Sequence, residues 1–359
     1  MAETSVASLN QVTSWDDEYF LEYVRDSRYS RYMGPKRNEI FYVDSSLADE
    51  AGIVHTFSFI GKLTNAGVTG ETTLDGNEES LDNYGMTVTV EWLRNAVRMT
   101  KRQAGLSELD LRGAAREGLM RWSKEKLRDA CTTALGSINV GTGNGTAYAS
   151  ASEANKDTWL TNNSDRVLFG AATANAVSLD HSTSLALVDA TNDKLTAARV
   201  SHLKRIAKTA SPIIEPVRVK DDEEWYVIFT GSRAFRDLKL DLATINTYGW
   251  ERYTNGGDNP LFTDGDLVYD GCIIREEPSI AAVTSVGTAS IDVMPAYLCG
   301  ASAAGVVWKQ RPASIVDNLK DFKFRPGVAV EECRAVEKLM FNSKQNGVVT
   351  GWFAGVADS

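Results

Sequence analysis

Apolar and polar residues alternate in two stretches that lie on either side of a long polar segment. The runs 55–63 (HTFSFIGKL) and 86–92 (MTVTVEW) both alternate, as half-buried strands do. Gly, Asn, Asp and Thr dominate the segment between them, which has too few apolar residues to form a core of its own. The pattern predicts a long two-stranded hairpin. Because an isolated hairpin is only marginally stable in water, we expect another part of the protein to hold it in place.

A long amphipathic helix is predicted over residues 107–135. Ser107 and Asp110 have the spacing of an N-terminal capping pair, and Gly136 is a suitable C-terminal stop. At about 1.5 Å per residue, such a helix is roughly 40 Å long. Its apolar face is formed by Leu111, Ala115, Leu119, Trp122, Leu127, Cys131 and Ala134.

The remaining segments mix shorter helices and strands and predict an α+β fold. The aromatic-rich segment 13–32 begins with the capping residues Ser14 and Asp17 and is predicted to be helical. Residues 136–165 are rich in Gly, Asn, Ser and Thr and are expected to form an exposed loop or an irregular hairpin. Further strands are predicted at 40–44, 166–170, 213–219, 225–230 and 267–274, and further helices at 192–210, 232–240 and 301–307.

Charge separates the polar segment from the helix that follows it. Between Lys62 and Arg94 there is no basic residue, and the segment is acidic. A loop of one charge sign beside a basic scaffold is a poor catalytic pocket but a suitable contact for an identical neighbouring chain. We expect five acidic residues to lie over that neighbour, namely Glu71, Asp75, Glu78, Glu79 and Asp82. They are expected to meet the basic residues Arg94, Arg98, Arg112, Arg116 and Arg121 there. The alternative is a solvated loop that merely tolerates acidic residues.

Composition narrows the classes of function. The formal net charge of −10 is unsuited to coating nucleic acid, so any DNA contact is expected to be local and non-specific. The four cysteines are far apart, without the spacing of a zinc site or a disulfide framework, and are expected to be reduced and buried. The first ten residues are too polar for a signal peptide. Asp292 and Pro295 interrupt the most apolar stretch, so we expect no membrane span and folding in a cytoplasm.

Two motifs resemble reactive sites, but the structure predicted around them does not fit such sites. Gly141, Gly143 and Gly145 follow a predicted helix, whereas a phosphate-binding loop follows a strand and precedes a helix. Asp180, His181 and Ser182 are adjacent, and neighbours in sequence rarely face one another as a catalytic triad must. With three histidines in 359 residues, His-based catalysis or metal binding is not expected. We therefore expect no catalytic residue, no cofactor and no bound metal.

Several short motifs occur in a fixed order along the chain. The polar segment and its exit contain Gly67-Val68-Thr69-Gly70-Glu71, Leu74-Asp75-Gly76-Asn77-Glu78-Glu79 and Arg94-Asn95-Ala96-Val97. Later motifs are Leu111-Arg112, Trp122, Asp129, 225–230, Asn259-Pro260-Leu261-Phe262, 271–277, Gly300-Ala301-Ser302-Ala303 and 338–341. Over residues 12–342, this order resembles the major capsid (coat) proteins of tailed bacteriophages. The polar loop followed by the long helix is the most specific part of the resemblance.

The resemblance implies the tailed-phage and herpesvirus capsid fold. Its expected parts are an N-terminal arm (1–54), an extended loop (55–105), a peripheral domain (106–191) with the spine helix 107–135, an axial domain (192–295), and peripheral-domain strands with the C-terminal tail (296–359). It implies a non-enzymatic protein that self-assembles as hexamers and pentamers into the icosahedral shell around double-stranded phage DNA. Assembly is expected in the host cytoplasm, and the protein's final place is the virion.

The resemblance also implies partners other than identical subunits. These are a scaffolding protein, a portal, decoration proteins and packaged DNA held by non-specific contact. About 50 residues precede the first loop strand, which favours a separate scaffolding protein over a cleaved N-terminal one. Two other functions stay open: a bacterial nanocompartment shell around an enzyme cargo, and a hydrolase or sugar-binding domain built on Asp258, Asp264, Asp266 and Asp270.

Overall fold

The computed structural model describes residues 27–49, 51–106, 110–220, 223–250, 262–263, 266–317 and 319–358. Most of the predicted N-terminal helix therefore lies outside the described residues. The chain divides into two compact units, which are described separately. Of the described residues, the smaller unit contains 92–126 and 310–333, and the larger unit contains 27–91, 127–309 and 334–358.

Helices and strands alternate irregularly along the chain, as expected for an α+β fold. The α-helices are α1 (Lys101–Leu106), α2 (Leu111–Gly136), α3 (Glu153–Asn162), α4 (His181–Ala186), α5 (Ala197–Thr209) and α6 (Ser232–Trp250). The first strands are β1 (Met33–Gly34), β2 (Phe41–Asp44), β3 (Val54–Ile60), β4 (Asn83–Thr89), β5 (Glu91–Arg98), β6 (Val167–Phe169), β7 (Arg218–Lys220) and β8 (Glu223–Thr230). The later strands are β9 (Phe262–Thr263), β10 (Asp266–Tyr269), β11 (Cys272–Glu276), β12 (Val293–Cys299), β13 (Ala304–Asp317), β14 (Gly327–Lys338), β15 (Met340–Phe341), β16 (Lys344–Gln345) and β17 (Val348–Ala354).

A mixed eight-stranded sheet forms the centre of the larger unit. Its order is β6-β17-β12-β8-β11-β10-β9, and β7 pairs with β8. All seven residues of β12 and all seven of β17 are buried, which explains why these strands read as continuous apolar runs rather than as alternating ones. Helix α5 buries Val200, Leu203 and Ile206 in the same core.

The smaller unit contains β5, parts of β13 and β14, and the first half of α2. Its strands are hydrogen-bonded in the order β13-β14-β5. Leu119 of α2 packs with Val328 and Val330 in a small apolar cluster. Beside this cluster, the buried Ser123 hydroxyl donates to Glu332 Oε2 at 2.9 Å, which gives this carboxylate a partner within the unit.

Helix α2 confirms the predicted long helix but begins later than expected. Asp110 is its N-terminal cap, because Asp110 Oδ1 accepts from Arg112 N at 3.2 Å and from Gly113 N at 3.0 Å. Ser107 lies outside the described residues. The polar segment does not run directly into this helix, since β5 and α1 intervene. At 26 residues, α2 is about 39 Å long.

Other local predictions were wrong for identifiable reasons. The region 136–165 was expected to be an exposed loop or an irregular hairpin, and its first part is such a hairpin, in which Ile138 and Thr146 form an antiparallel bridge. Its second part contains the unexpected α3, whose N-cap Ser152 accepts from Asn155 N; buried Trp159 and Leu160 fix this helix from its inner side. The helix predicted at 301–307 is instead the start of β13, because the residues from Ala304 to Trp308 are all buried within a sheet. The strand predicted at 213–219 is confined to β7, and the short helix at 232–240 extends as α6 to Trp250.

None of the helices in the described part of the chain has both the length and the apolar character of a membrane span.

Candidate functional site

The predicted hairpin is present as β3 and β4. These strands pair antiparallel from Val54 with Thr89 to Ile60 with Asn83. Phe57, Met86 and Val88 are buried, whereas the intervening residues face outward, which accounts for the alternation in the sequence. The loop between the strands, residues 61–82, has no regular secondary structure beyond turns.

The Gly-rich segment 141–145 braces the free edge of β4. Thr87 N donates to Thr142 O at 2.7 Å, and Thr89 N donates to Asn144 Oδ1 at 2.9 Å. Asn144 Nδ2 returns a hydrogen bond to Thr89 O at 3.0 Å. The glycine-rich segment that resembles a phosphate loop thus hydrogen-bonds to the backbone of the hairpin. It stabilises β3 and β4, which as an isolated hairpin would be only marginally stable.

Aromatic contacts anchor the outer end of the two strands. Phe59 and Tyr84 pack edge-on against Phe341, with ring centroids 5.8 and 5.0 Å away. Near the inner end, the His55 ring lies 4.6 Å from that of Phe57, and His55 Nε2 is 3.7 Å from Asp44 Oδ2. His55 is therefore a structural residue of the hairpin base.

Two of the five predicted contact acids hold the loop in shape. Glu79 Oε1 accepts from Thr64 N at 2.6 Å and from Thr64 Oγ1 at 2.9 Å, and Glu79 Oε2 accepts from Asn65 N at 2.9 Å. Hydrogen bonds from Thr64 and Asn65 hold the pKa of Glu79 below its ordinary value. Glu78 Oε2 accepts from Gly76 N at 2.8 Å, in a turn where Gly76 has a φ of 85° that favours glycine.

The other three acids point to solvent. Glu71, Asp75 and Asp82 are exposed, and their side chains form no hydrogen bond or ion pair among the described residues. Exposed apolar side chains occur in the same region. The low apolar content of the segment did not predict them. These are Ile60, Leu63, Leu74 and Leu81, each between 55% and 66% exposed. Leu63, Leu74 and Leu81 lie on the loop itself, and Ile60 is the last residue of β3.

The five predicted arginines all belong to the smaller unit. Arg98 Nη2 is 3.0 Å from Asp317 Oδ2, and Arg121 Nη2 is 2.8 Å from Glu117 Oε1. Arg94, Arg112 and Arg116 are exposed, and no ion pair to them occurs among the described residues. These three guanidinium groups are available to a carboxylate of another chain.

The acidic cluster considered for a hydrolase or a sugar-binding site does not take shape in the described residues. Asp258 and Asp264 lie outside them, and Asp270 Oδ1 lies 3.4 Å from Lys204 Nζ. Ser182 Oγ donates to Asp180 Oδ1 at 2.9 Å rather than to His181, so this trio lacks the order of hydrogen bonds of a catalytic triad. All four cysteines are free and buried, as expected.

Comparison with known proteins identifies the chain. The family model described as "Phage capsid protein" matches residues 3–356. The chain belongs to this family. It is 24% identical over 352 residues to the major capsid protein of Pseudomonas phage KPP25, a match that covers 93% of this chain and 90% of that protein.

Solved structures agree with the family. The chain resembles the capsid asymmetric unit of cyanophage Pam1 with a TM-score of 0.90 and 38% identity over 100% of both chains. It resembles the capsid of Ralstonia phage GP4 with a TM-score of 0.75 and 19% identity, also over 100% of both chains, which shows the fold alone. These comparisons confirm the expected tailed-phage capsid fold. They also confirm the expected function, which is to form the capsid shell of a phage from many copies of the chain.

Proposed function

We propose that the loop 61–82 is the part of this capsid protein that lies over a neighbouring copy and fixes its position in the shell. The observation that supports the proposal is the pairing of unused groups: Glu71, Asp75 and Asp82 on the loop, and Arg94, Arg112 and Arg116 on β5 and α2. All six are exposed in a single chain and have opposite charges. In a closed shell, each copy presents its loop to one neighbour and its arginines to another.

The structure divides the ten proposed contact residues into two groups. Glu78 and Glu79 hold the loop, and Arg98 and Arg121 already have partners within the chain. They support the contact by positioning it. The intermolecular ion pairs then fall to Glu71, Asp75 and Asp82 with Arg94, Arg112 and Arg116, while Leu74 and Leu81 supply apolar area.

The strength of such a contact comes from repetition. A single exposed ion pair contributes about 0–1 kcal/mol, which is too little to hold two subunits together. Each copy makes the contact twice, once with its loop and once with its arginines, and every contact constrains the same shell. Many weak contacts together therefore fix a specific arrangement of the subunits. The charged part of the contact is screened by salt.

Charge reversal tests this proposal. The variant Glu71→Lys/Asp75→Lys changes exposed side chains, so the subunit is expected to fold normally, but shell yield should fall at low salt because like charges then face each other. Adding Arg112→Glu/Arg116→Glu should restore the yield by exchanging the two signs. The matched control is Asp49→Lys/Glu91→Lys, which alters net charge equally at exposed acids outside the loop. Shells are counted by sedimentation and negative-stain microscopy at two salt concentrations.

Two results would contradict the proposal. One is normal shell yield and unchanged salt resistance in Glu71→Lys/Asp75→Lys. The other is an equal loss in the Asp49→Lys/Glu91→Lys control, which would show that net charge rather than the loop is responsible. A loop that is only disordered is distinguished by Glu79→Ala, which removes both acceptor oxygens of the internal brace without reversing any charge at Glu71 or Asp75.

We extend the proposal to the whole subunit and its partners. In this proposal residues 1–54 form the arm, 55–105 the extended loop, 106–191 and 296–359 the peripheral domain, and 192–295 the axial domain. The subunits form hexamers and pentamers in the host cytoplasm, with a separate scaffolding protein, a portal and decoration proteins. The shell encloses double-stranded DNA through non-specific contacts, and the chain has no catalytic activity of its own. Nuclease-protected DNA in purified particles supports this assignment, and an enzyme cargo in its place would indicate a nanocompartment.

A further inference from the structure

The hydrogen bonds at the two ends of the hairpin show which backbone groups of β3 face outward. Val90 N donates to Ile53 O, and Gly61 N donates to Asp82 O, both at 2.8 Å. Residues that bond across an antiparallel pair alternate with residues that turn their backbone groups away from it. The odd-numbered residues of β3 therefore bond to β4, and the backbone groups of its even-numbered residues, from 54 to 60, face outward.

The chain covers the outer edge of β4 but leaves the outer edge of β3 open. The outward groups of Thr87 and Thr89 on β4 bond to the segment 141–145. Within the part of the chain that the structure describes, no backbone hydrogen bond reaches the outward groups of β3. Soluble proteins usually protect such an edge with proline, lysine or a bulge, because it pairs readily with another strand. The strand β3, VHTFSFI, has neither residue, and its register with β4 has no bulge.

The side chains along this open edge suit a contact between strands. Thr56 and Ser58 are exposed, and Val54 and Ile60 are 49% and 66% exposed. Valine, isoleucine and threonine are the β-branched residues that favour strands. The edge therefore combines free backbone donors and acceptors with side chains that pack well beside another strand.

Strand β5 forms a second open edge, since it is the last strand in the order β13-β14-β5. Just after β5, Met99 N donates to Pro326 O at 3.1 Å and Lys101 N donates to Phe324 O at 2.9 Å. By the same alternation, the backbone groups of the even-numbered residues from 92 to 98 face away from β14. Six of the eight residues of β5 are exposed, so little of the chain covers this strand.

Charge favours β5 of a neighbouring copy as the partner of β3. The open edge of β3 leads directly into the acidic loop 61–82, whereas β5 carries Arg94 and Arg98. Pairing of the two edges places the acidic loop of one copy next to the basic strand of another. Every copy in the shell carries both edges, so the same contact can repeat from copy to copy.

We propose that the outer edge of β3 pairs with the outer edge of β5 in a neighbouring copy, so that the hairpin of one subunit extends the sheet of the next. This inference rests on the proposed contact of the loop 61–82 and adds the backbone pairing that fixes its register. Hydrogen bonds between main chains supply affinity in such strand additions, and salt screens them less than it screens exposed ion pairs. The pairing also accounts for the unprotected edge, which would promote aggregation in a protein that acts alone.

Cysteine crosslinking in assembled shells tests the pairing. Residues opposite one another in adjacent strands have Cα atoms about 4.5–5.5 Å apart, which a disulfide can span, and the four native cysteines are buried. Ser58→Cys is combined in turn with a cysteine at each exposed residue of β5, and the shells are mildly oxidised. At least one combination should give about 10-fold more disulfide-linked subunits than Ser58→Cys with Leu106→Cys. Leu106, on α1, is 78% exposed and serves as the control position.

A proline variant tests the backbone hydrogen bonds themselves. Thr56→Pro removes an outward N–H, and an edge strand tolerates proline where its N–H faces solvent, so the subunit should fold. Shell yield should fall at low and at high salt, whereas high salt should restore the yield of Glu71→Lys/Asp75→Lys by screening its like charges. The matched control Thr56→Ala keeps the N–H and should assemble as the parent does. Circular dichroism checks the fold of both variants.

Three results would overturn the pairing. The first is shells in which no residue of β5 crosslinks to Ser58→Cys above the Leu106→Cys control. The second is equal crosslinking by Ser58→Cys alone, which would show that β3 meets β3 of another copy. The third is normal assembly of a folded Thr56→Pro, and if this variant does not fold, the crosslinks decide. Failure of the loop contact is recognised separately, by normal assembly of Glu71→Lys/Asp75→Lys.

Discussion

Lys338 is a buried charge whose cost is measurable. This last residue of β14 is 1% exposed, its Nζ donates to Leu135 O near the end of α2 at 3.1 Å, and the ammonium lies 5.5 Å from the centre of the Trp159 ring. Burial lowers the pKa of Lys338 from 10.5 to about 7, because desolvation penalises the charged form more than the nearby Cys299 and Glu337 favour it.

The lowered pKa gives stability a defined dependence on pH. Between pH 7 and 10.5, the unfolded chain binds a proton at Lys338 that the folded chain has largely lost. The free energy of unfolding therefore rises with pH over this window. Integration from pH 7 to pH 9 with a folded pKa of about 7 gives a rise of about 2.3 kcal/mol from this one group.

The substitution Lys338→Met keeps the length of the side chain and removes the titration. We expect the difference in unfolding free energy between the parent and Lys338→Met to shift in favour of the parent by about 2.3 kcal/mol from pH 7 to pH 9. Urea denaturation of the unassembled subunit at pH 7, 8 and 9 measures it, with the exposed Lys62→Met as control. A difference that stays constant over this range would refute the reasoning, since it would mean that Lys338 titrates alike in the folded and unfolded chains.

Three further predictions concern other described side chains. Burial raises the pKa of Glu337 to about 7, so the folded chain binds more protons than the unfolded chain between pH 4.5 and 7. The free energy of unfolding therefore falls as pH rises through that range. Thermal denaturation from pH 5 to 7 should show a smaller fall in Tm for Glu337→Gln than for the parent. Asp110→Ala should lower the free energy of unfolding by about 0.5–2 kcal/mol through loss of the α2 cap, measured in urea, whereas Asp110→Asn should retain most of it. Burial raises the pKa of Cys131 and Cys272 to about 12, so a thiol reagent at pH 8 should leave both unmodified in the native subunit and modify them in urea; rapid native modification would show that these thiols are accessible.

Long, regular patterns made the hairpin and α2 predictable from the sequence. Their residues keep one periodicity over many positions, and the caps of α2 are local. Helix α3 was missed because its polar composition favours a loop, and Trp159 and Leu160 acquire their role only through burial. The clearest local signal for α3 was Ser152, because serine is a preferred N-cap residue and this one lies before Trp159 and Leu160.

The roles of individual acids depend on contacts between distant residues. The acidic segment between two paired strands was predicted correctly, but the count of charges treats its five acids alike. Glu79 bonds to Thr64 and Asn65, 15 and 14 positions earlier, and no local pattern encodes such a contact. Likewise, His181 Nδ1 lies 3.8 Å from Glu153 Oε1 although the two residues are 28 positions apart in the sequence, and their approach depends on how α3 and α4 pack.

The internal bonds of Glu79 have a consequence for the thermodynamics of shell growth. Ordering a flexible chain costs about 1–2 kcal/mol of backbone entropy per residue, and a loop that ordered only on meeting a neighbour would subtract that cost from every contact. Glu79 joins the two sides of the loop within the single subunit, so part of the ordering takes place when the chain folds. A preorganised loop leaves more of its binding energy for association, so the contact that we propose for this loop would gain at every place where it is repeated in the shell.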